Sequence, residues 1–452
     1  MKVTTVILAA GQGTRMRSAL PKVLHPLGGK PLLQYSLDLA AQVGSSSPVV
    51  VVGHGADQVR ETVGDRARFA VQEKQLGTAN AVQAAEKIAA GEAGLVVVIS
   101  ADMPLLRPET LQELVNRQTE NNGPISMLTV ISDNPRGFGR IVRAVDGSVA
   151  AIVEEAQATP EQLTIHELNV GAYCFRDNWL WPALGRVKIS SKGEYYLTDL
   201  VEIAVAEGQT VQALVAEDRE ETIGINTRVH LAEAEAVLRK RINTAWMEAG
   251  VMMMDPAAVY IDASVQIGRD TVIWPNTYLH GSTVIGEDCE IGPNTIIHDT
   301  KIGNRCKILA SVLEKAELED GVDMGPFARL RKGAHLAEGV HMGNFGEVKD
   351  SYVGPGSKMG HFSYIGNANI GKDVNIGAGT ITCNYDGKHK HPTEIGDNVF
   401  IGSDTMLVAP VKIGAGARTG AGAVVTKDID ADTTVVGVPA RPLHKSKEKD
   451  GS

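Results

Sequence analysis

The chain has 452 residues, of which 22% are charged, and a formal net charge of −10. This length predicts two or three domains. The one basic cluster is the tail Lys445, Lys447 and Lys449, which argues against nucleic acid as a partner. No uninterrupted apolar run approaches the ~20 residues of a membrane span. Four well-separated cysteines indicate neither a zinc knuckle nor a disulfide framework, so we expect a cytoplasmic protein.

The first half alternates short β-branched runs with helical patterns. We predict strands at Val3–Leu8, Val49–Val52 and 96–99, and helices at Leu32–Gln42 and 79–90. This alternation is typical of βαβ units and a mainly parallel sheet. Such sheets bind ligands beyond the carboxyl ends of their strands, so functional residues should follow the strands directly.

A glycine-containing loop follows the first predicted strand. Residues 8–16 read LAAGQGTRM, and Lys22 comes shortly afterwards. The glycines allow close backbone approach, and Arg15 and Lys22 could neutralise a polyphosphate. The P-loop ending in Gly-Lys-Ser/Thr is absent, and a tight strand-to-helix turn is the alternative interpretation.

Asp102 follows the predicted strand 96–99 at the carboxyl edge of the sheet. A carboxylate at this place could hold a magnesium ion against a phosphate, and a turn cap would use the same residue. Groups suited to hydrogen-bonding a base and sugar hydroxyls occur at Gln72, Gly77, Thr78, Gly139, Glu154, Asn169 and Asn226. Each is ambiguous by itself.

After a predicted linking helix at 228–249, the sequence changes to a six-residue repeat. An aliphatic residue followed by glycine recurs at Ile267, Ile285, Ile291, Ile302, Val353, Ile365, Ile370, Ile376, Ile395, Ile401 and Ile413. Aliphatic residues at this spacing can point inward at the corners of a triangular coil, which predicts a parallel β-helix. The spacing slips before Ile302 and Ile370, and residues between Cys383 and Thr393 must loop outward. Such a β-helix could serve as a scaffold alone.

Charged, amide and aromatic side chains interrupt the repeats between residues 327 and 387, among them His361. The polar residues around it are Arg331, Lys349, Tyr364, Asn375 and Asn384. We expect Tyr364 and Asn375 to lie with His361 on one face of neighbouring coils, where the cations could bind an anionic sugar phosphate. Histidine can act as general base toward an amine because its unperturbed pKa lies near neutrality. A lone histidine here would more often be structural.

The motifs of the first half, taken together, resemble the sugar-phosphate nucleotidyltransferases. The matching segments are LAAGQGTRM at 8–16, LPK at 20–22, LGT at 76–78, Asp102 after its strand and GFGR at 137–140. The segment QEKQLGT at 72–78, with Glu154, Asn169 and Asn226, is most similar to the family of bifunctional N-acetylglucosamine-1-phosphate uridyltransferase/glucosamine-1-phosphate acetyltransferases. This resemblance covers essentially the whole chain.

For residues 1–227 the resemblance implies an α/β domain with a Rossmann-like, mainly parallel sheet. It would transfer uridylyl from UTP to N-acetylglucosamine 1-phosphate and release pyrophosphate. The residues around uracil and ribose would be Leu8, Ala9, Ala10, Gly11, Gln72, Gly77 and Thr78. Phosphates would be bound by Arg15 and Lys22, Mg²⁺ by Asp102 and Asn226, and N-acetylglucosamine by Gly139, Glu154 and Asn169. The segment Ser100-Ala101-Asp102 departs from the commoner Tyr-Gly-Asp and keeps the metal aspartate.

For residues 250–452 the resemblance implies a left-handed β-helix with a short C-terminal tail, which acetylates glucosamine 1-phosphate from acetyl-CoA. His361 would be the catalytic base, oriented by Glu347. The sugar phosphate would be held by Arg331, Lys349, Tyr364, Asn375, Asn384 and Tyr385, and acetyl-CoA by Ala378, Ser403 and Ala421. Family members are trimers with this site between subunits. Residues 437–441 lack the family's arginine ahead of Val-Pro, which leaves Arg441 as the alternative contact to the 3′-phosphate of CoA.

Three functions remain open at this point. The first is a bifunctional enzyme that makes UDP-N-acetylglucosamine for peptidoglycan or lipopolysaccharide synthesis. The second is a uridyltransferase whose β-helix is only a trimerisation scaffold, and the polar residues around His361 argue against it. The third is a non-enzymatic solenoid binding protein with a decayed first half. Against it stand four polar residues that are all present, Arg15, Lys22, Asp102 and Asn226.

Overall fold

This computed structural model describes residues 2–443 of the chain. They divide into two compact units, with the boundary between Leu238 and Arg239. The basic tail at Lys445, Lys447 and Lys449 lies outside the described residues. Over 2–443, no helix is both long enough and apolar enough to cross a membrane.

The first unit is built from eleven strands and the helices between them. The strands are β1 (Val3–Leu8), β2 (Pro26–Leu27), β3 (Lys30–Pro31), β4 (Val49–Val52), β5 (Arg68–Val71), β6 (Leu95–Ser100), β7 (Ile125–Ile131), β8 (Arg140–Arg143), β9 (Val149–Val153), β10 (Glu167–Arg176) and β11 (Val211–Val215). The helices are α1 (Leu32–Gln42), α2 (Ala56–Val63), α3 (Thr78–Ala84), α4 (Glu86–Ala89), α5 (Pro108–Glu120), α6 (Pro160–Leu163), α7 (Asp177–Leu184) and α8 (Asp199–Ala206). Short 3-10 turns span Thr14–Met16, Lys22–Leu24, Gly64–Arg66, Glu155–Gln157 and Arg219–Thr222. The helix predicted at 79–90 is therefore divided in two.

The central sheet has the strand order β11-β7-β10-β6-β1-β4-β5. Strand β1 runs parallel to β4 and β6, β4 to β5, and β11 to β7, while β10 is antiparallel to β6 and β7. The mainly parallel sheet that the sequence predicted is confirmed. Since β10 runs against its neighbours, its first residues reach the edge where β1 and β6 end.

Apolar residues alternate between two cores, one on each face of the sheet. Val3 and Ile7 of β1 belong to one core and Val6 to the other, as the two-residue period of a strand requires. Strands buried on both faces read as continuous apolar runs, such as Val49–Val52, which is fully buried. Rigid strands of this kind hold the loops at their carboxyl ends in place.

Helix α9 (Arg228–Glu248) follows the last strand of the first unit. Its residues Leu231, Ala234 and Val237 join a small core of that unit with Leu32 and Ile225. In the second unit, Ile242 and Trp246 pack against the main core of that unit.

The second unit is a parallel β-helix with three faces, which we call faces one, two and three. Face one contains Met252–Met253, Val272–Ile273, Glu290–Ile291, Lys307–Ile308, Asp323–Met324, His341–Met342, Lys358–Met359, Asn375–Ile376, Phe400–Ile401, Arg418–Thr419 and Thr434–Val436, with Arg441–Pro442 antiparallel at the end. Face two contains Val259–Ile261, Thr277–His280, Ile296–His298, Val312–Glu314, Arg329–Leu330, Gly346–Lys349, Ser363–Gly366, Ile381–Cys383, Met406–Val408 and Val424–Val425. Face three contains Gln266–Ile267, Val284–Ile285, Lys301–Ile302, Glu317–Leu318, Ala334–Leu336, Ser351–Val353, Ala368–Ile370, Thr393–Ile395 and Val411–Ile413. A 3-10 turn at Pro256–Ala258 precedes face two.

Successive coils stack in register, which places the repeated aliphatic residues in buried columns. Gln266 pairs with Val284, and Val284 pairs in turn with Lys301, so the second of these coils is shorter than the first by a single position. The spacing slip predicted before Ile302 is therefore confirmed. Another coil is longer, because Asn375 pairs with Phe400 across the outward loop between Cys383 and Thr393. This arrangement is consistent with the left-handed β-helix that the resemblance implies.

Candidate active sites

Two adjoining cavities lie at the carboxyl edge of the first unit's sheet. The first, of about 370 Å³, is lined by Leu8, Ala9, Ala10, Gly11, Lys22, Val23, Gln72, Gln75, Gly77, Thr78, Ala81, Ser100, Asp102, Glu154, Glu194 and Tyr196. The second, of about 220 Å³, is lined by Leu8, Thr78, Ser100, Asp102, Met103, Gly137, Phe138, Gly139, Glu154, Asn169, Val170, Gly171, Tyr173, Leu197, Thr198, Gly224 and Asn226. Five residues line both, so the cavities form two lobes of one site.

The loop after β1 provides backbone rather than side chains to the first lobe. Ala9 N–H donates to Val51 O at 2.9 Å, which ties the loop to the neighbouring strand. A Cβ built on Gly11 would meet no atom within 4 Å, so the space beside this residue is open to a ligand. Arg15 is exposed in the turn Thr14–Met16 and lines neither lobe, unlike the other residues predicted for this site.

Lys22 joins the two residues predicted to bind the metal. Its Nζ lies 2.5 Å from Asp102 Oδ2 and 3.2 Å from Asn226 Oδ1. Ile225 N–H donates to Asp102 O at 2.8 Å, and this bond brings the distant segment of Asn226 to the end of β6. The structure thus unites residues that are far apart in the sequence.

The oxygen donors at this junction fit a divalent cation that binds together with phosphates. One cationic group, the Lys22 ammonium, already contacts both Asp102 and Asn226. Mg²⁺ is usually held by one or two carboxylates, with substrate phosphates and water completing its octahedron. Within residues 2–443, no cluster of three or more His, Cys, Asp or Glu side chains could hold a metal without such help.

Hydrogen bonds fix the other predicted residues of the first lobe. Gln72 Nε2 donates to Gly77 O at 3.0 Å, and Leu197 N–H donates to Thr78 Oγ1 at 2.9 Å. Gly77 has a φ of 102°, and a Cβ there would lie 2.5 Å from Tyr195 O. Only glycine satisfies both the conformation and the close approach of the two backbones.

The second lobe contains Gly139, Glu154 and Asn169. Asn169 Oδ1 accepts hydrogen bonds from Tyr173 Oη at 3.0 Å and Gly171 N at 3.2 Å. Thr198 Oγ1 donates to Glu154 Oε1 at 3.0 Å. Burial raises the pKa of the Glu154 carboxyl, and the charge of Glu194 adds to this. The lobe is therefore lined by acceptors suited to sugar hydroxyl and amide groups.

Several residues of this site were missed by sequence reasoning. Gln75, Glu194 and Tyr196 line the first lobe, Thr198 the second, and Ser100 both. Ser100 Oγ donates to Asp102 Oδ1 at 2.6 Å. The sequence departs from the commoner tripeptide at Ser100, but nothing in it places the 194–198 segment beside α3.

In the second unit, the turns between faces one and two place four predicted residues in a single column. Lys358 pairs with Asn375, Asn375 with Phe400, and Phe400 with Arg418. The residues three positions after each of these four also lie one above another. They are His361, Ala378, Ser403 and Ala421. The predicted base and the predicted acetyl-CoA residues are thus brought together.

His361 is exposed, and within residues 2–443 its imidazole has no hydrogen-bond partner. Glu347, predicted to orient it, instead accepts a hydrogen bond from Arg331 Nη1 at 2.9 Å. The single chain therefore pairs Glu347 with Arg331 on the neighbouring coil, and the orienting role of Glu347 stays a prediction.

Cations cluster beside this column on face two. The hydrogen bond that Arg331 donates to Glu347 raises the pKa of Arg331. The neighbouring Lys390 lowers the pKa of Lys349, and the charge of Arg331 acts in the same direction. Like charges held so close favour a bound anion. Lys390 belongs to the outward loop and was missed by sequence reasoning, because loop lysines are common.

The remaining predicted residues are divided between two faces. Tyr364 lies on face two, and Asn384 Nδ2 donates to Asn367 Oδ1 at 2.7 Å at the end of that face. Tyr385 begins the outward loop, where its hydroxyl donates to Gly387 O at 2.7 Å. Asn375 lies on face one, so the expectation that it shares a face with Tyr364 is wrong. Each coil visits all three faces in turn, and Asn375 follows Tyr364 by less than a full coil, so the two fall on different faces.

The fold and these two sites define a class of protein, a nucleotidyltransferase unit joined to a hexapeptide-repeat transferase unit. The family model "MobA-like NTP transferase domain" matches residues 5–170. The model "Bacterial transferase hexapeptide (six repeats)" matches residues 264–299, 282–313 and 392–427.

Curated relatives match over nearly the whole chain. "Bifunctional protein GlmU" of Heliobacterium modesticaldum is 48% identical over 96% of this chain and 95% of its own length. The protein of that name from Trichlorobacter lovleyi is 48% identical over 95% of both chains, and that of Geobacillus thermodenitrificans 47% over 100% and 98%. The chain belongs to the bifunctional GlmU family. A crystal structure of UDP-glucose pyrophosphorylase with UDP-glucose covers 53% of this chain and 100% of its own at 18% identity, and its TM-score of 0.45 is too low to support an argument.

Proposed function

We propose that the two described sites carry the two activities of this bifunctional enzyme. The β-helix unit transfers acetyl from acetyl-CoA to glucosamine 1-phosphate. The α/β unit then transfers uridylyl from UTP to N-acetylglucosamine 1-phosphate, giving UDP-N-acetylglucosamine and pyrophosphate. The observation that carries the proposal is the two-lobed cavity whose lobes meet at Asp102, with Lys22 in contact with that carboxylate. We assign 1–227 and 250–452 to these activities and 228–249 to the linking helix.

In the α/β unit, each lobe takes one substrate. Leu8 to Gly11, Gln72, Gly77 and Thr78 bind uracil and ribose in the first lobe, and Gly139, Glu154 and Asn169 bind N-acetylglucosamine in the second. A phosphate oxygen of the sugar then attacks the α-phosphate of UTP, and pyrophosphate leaves. No protein nucleophile is required, because positioning and charge stabilisation supply most of the catalysis in phosphoryl-type transfers.

Asp102 and Asn226 would hold Mg²⁺ where the lobes meet. When bound, the ion neutralises the charge that develops on the phosphate oxygens. Lys22 stands at the same place and stabilises the same charge, with Arg15 as a second, more exposed cation.

In the β-helix unit, His361 accepts a proton from the amino group of glucosamine 1-phosphate. The amine nitrogen attacks the thioester carbonyl of acetyl-CoA, and CoA leaves as its thiol. Arg331 and Lys349 bind the sugar phosphate, with Tyr364, Asn375, Asn384 and Tyr385 around the sugar. Support comes from the stack that aligns His361 with Ala378, Ser403 and Ala421 on four successive coils, enough to follow an extended thioester. Contact between Arg441, which is exposed, and the 3′-phosphate of CoA is part of this proposal.

We further propose that the protein acts in the cytoplasm as a homotrimer assembled through the β-helix. Hexapeptide repeats suggest oligomerisation. Phe327, Phe345 and Phe362 lie in one column next to His361 and are 61%, 59% and 55% exposed, a larger apolar surface than a solitary β-helix should leave in water. A second copy would bury these rings and enclose the acetyltransferase site.

The decisive experiment omits UTP and follows free CoA thiol from acetyl-CoA and glucosamine 1-phosphate. The native chain should release thiol, and His361→Ala should lower that rate by about 10²–10⁴-fold, the usual contribution of a general base. The same variant should still form pyrophosphate from UTP and N-acetylglucosamine 1-phosphate at the native rate. Release of no thiol by the native chain, while pyrophosphate forms, would leave the β-helix as a scaffold alone.

A further inference from the structure

Ser100 stands where the two lobes of the uridyltransferase cavity meet. It is the last residue of β6, pairs with Leu8 of β1 and lines both lobes. Its side chain is turned toward Asp102 rather than toward the surrounding backbone, because Ser100 Oγ donates to Asp102 Oδ1 at 2.6 Å. This short hydrogen bond to a carboxylate belongs to the stronger, charge-assisted kind.

The main chain around Asp102 is already fixed by other bonds. Ala101 N–H donates to Leu8 O at 3.0 Å, and Ile225 N–H donates to Asp102 O at 2.8 Å. Ala101 itself is fully buried. With the backbone held on both sides, only the side-chain torsions of Asp102 remain to be determined.

Two groups determine those torsions, one on each carboxylate oxygen. Lys22 Nζ contacts Oδ2 at 2.5 Å, and Ser100 Oγ contacts Oδ1 at 2.6 Å. A cation bound by Asp102 and Asn226 would need the space that the Lys22 ammonium occupies between them, since Mg²⁺ lies about 2.0–2.1 Å from its oxygen ligands. Lys22 must then turn toward a phosphate, and Ser100 is left as the group that holds the carboxylate.

We propose that Ser100 is a positioning residue for the reaction, which orients Asp102 so that Oδ2 faces the divalent cation and the nucleotide phosphates. This inference rests on the proposed function, in which Asp102 binds the metal. Ser100 acts only through Asp102 and takes no part in the chemical step. Groups of this kind, hydrogen-bonded to a metal ligand, typically change metal affinity by about 10–100-fold when removed.

Manganese provides a readout that is separate from turnover. Mn²⁺ is titrated into the full chain with UTP and without sugar phosphate, and the free ion is followed by its electron paramagnetic resonance signal. We expect Ser100→Ala to weaken Mn²⁺ binding by about 10–100-fold, and Ser100→Thr, which keeps the hydroxyl, to restore most of the affinity. In turnover, the Ser100→Ala enzyme should need correspondingly more Mn²⁺ for half-maximal rate and should approach the native kcat when Mn²⁺ is saturating.

A matched control removes a buried hydroxyl from the same unit without touching the cavity. Ser45 Oγ accepts a hydrogen bond from Thr5 N at 3.0 Å and is 2% exposed. Ser45→Ala should leave the Mn²⁺ titration unchanged, even where it lowers the unfolding temperature. A parallel weakening in this control would mean that the titration reports general loosening of the sheet, and the role of Ser100 would be rejected.

Asp102→Asn separates failure of this inference from failure of the proposed function. If Asp102→Asn loses Mn²⁺ affinity while folded Ser100→Ala binds Mn²⁺ as the native chain does, Ser100 has no positioning role and the metal assignment stands. If Asp102→Asn also binds Mn²⁺ normally, Asp102 is not the metal ligand and both statements fail. Loss of affinity in Ser100→Ala with recovery in Ser100→Thr supports both.

Discussion

The two units of this protein position functional residues in different ways. In the α/β unit, residues from distant segments converge on one edge of a sheet and enclose a cavity, as Lys22, Asp102 and Asn226 do. In the β-helix unit, the turns of successive coils place residues one above another, and His361 remains exposed on the surface. The α/β unit thus encloses its candidate site within a single chain, whereas the β-helix presents its candidate residues on an open surface.

The two candidate sites also differ in how their charged side chains are paired. In the α/β cavity, Lys22 pairs with Asp102 and Thr198 donates a hydrogen bond to Glu154, while the charge of Glu194 also acts on Glu154. On the β-helix, Arg331 pairs with Glu347, whereas Lys349, which lies 3.8 Å from Asp350 Oδ2, also has the cation Lys390 as a neighbour, and Lys390 lowers the pKa of Lys349. The close approach of these two lysines suits a bound anion.

The largest effects on stability should come from substitutions in the buried core of the β-helix, where distant coils should contribute independently. Ile401 is fully buried in the face-one column, and Ile401→Ala should cost about 2–5 kcal/mol of unfolding free energy. Ile291 lies in the same column six coils away, about 30 Å at the usual strand spacing, so the effects of Ile291→Ala and Ile401→Ala should add. Denaturant unfolding of the single and double variants measures this.

The adjacent pair Ile376 and Ile401 provides the matched contrast. These side chains occupy neighbouring coils, and the cavity left by one alanine borders the other. We expect the double variant Ile376→Ala/Ile401→Ala to depart from the sum of its single variants, whereas the distant pair should not. Equal coupling in both pairs would show that the β-helix does not behave as a stack of nearest neighbours.

Much of this fold follows from local patterns in the sequence. Fully apolar runs such as Val49–Val52 predict buried parallel strands, and the six-residue repeat predicts the coils. The repeat does not predict which residues stack, because coil lengths vary between neighbours. Tyr364 pairs with Ile381 across an ordinary coil, whereas Ile381 pairs with Met406 across the longer coil that contains the outward loop. Asn375 was misplaced for a different reason, because it follows Tyr364 by less than a full coil and so lies on another face.

The sites were predictable only in part, for a related reason. Asp102 could be placed because a residue after a parallel strand must lie at the carboxyl edge. The meeting of Lys22 with Asn226 depends on a loop-to-loop backbone bond from Ile225 to Asp102, which has no local signature. The hydrogen bond from Ser100 to Asp102 was equally unpredictable, because it depends on side-chain torsions that the sequence does not reveal.

A smaller effect on stability is expected at two glycines of the α/β site. Gly77 is required by the backbone conformation, whereas Gly11 leaves space for a substrate. Gly77→Ala forces an alanine to a φ of 102° beside Tyr195 O, which should cost about 1–3 kcal/mol and lower the unfolding temperature. Gly11→Ala meets no protein atom within 4 Å, so it should leave the unfolding temperature unchanged and raise KM for UTP by filling the open space. Calorimetry and uridylyl-transfer kinetics on both variants check this. A destabilised Gly11→Ala, or one with native KM, would contradict the assignment of this loop to the nucleotide.

The smallest effect we expect concerns the pH dependence of stability, which should differ in sign between the units. Burial raises the pKa of Asp199 in the α/β unit from 3.8 to about 6, helped by the charges of Glu202 and Glu154. In the β-helix, burial also acts to raise the pKa of Asp262, but hydrogen bonds from His280 and Gly281 hold it below its usual value.

A carboxyl whose pKa is raised on folding binds its proton more tightly in the folded state, so its stabilising contribution is lost as pH rises from 3.8 to about 6. Asp199→Asn should therefore raise the unfolding temperature at pH 8, with the gain vanishing below pH 4. Asp262→Asn should lower the unfolding temperature at pH 8. A carboxyl whose pKa is lowered on folding stabilises the folded state above its unfolded pKa, and this contribution disappears on acidification. Calorimetric scans of both variants between pH 3 and 8 measure the two trends. If both substitutions shift the unfolding temperature in the same direction at pH 8, the environments of these carboxylates do not differ as the structure indicates.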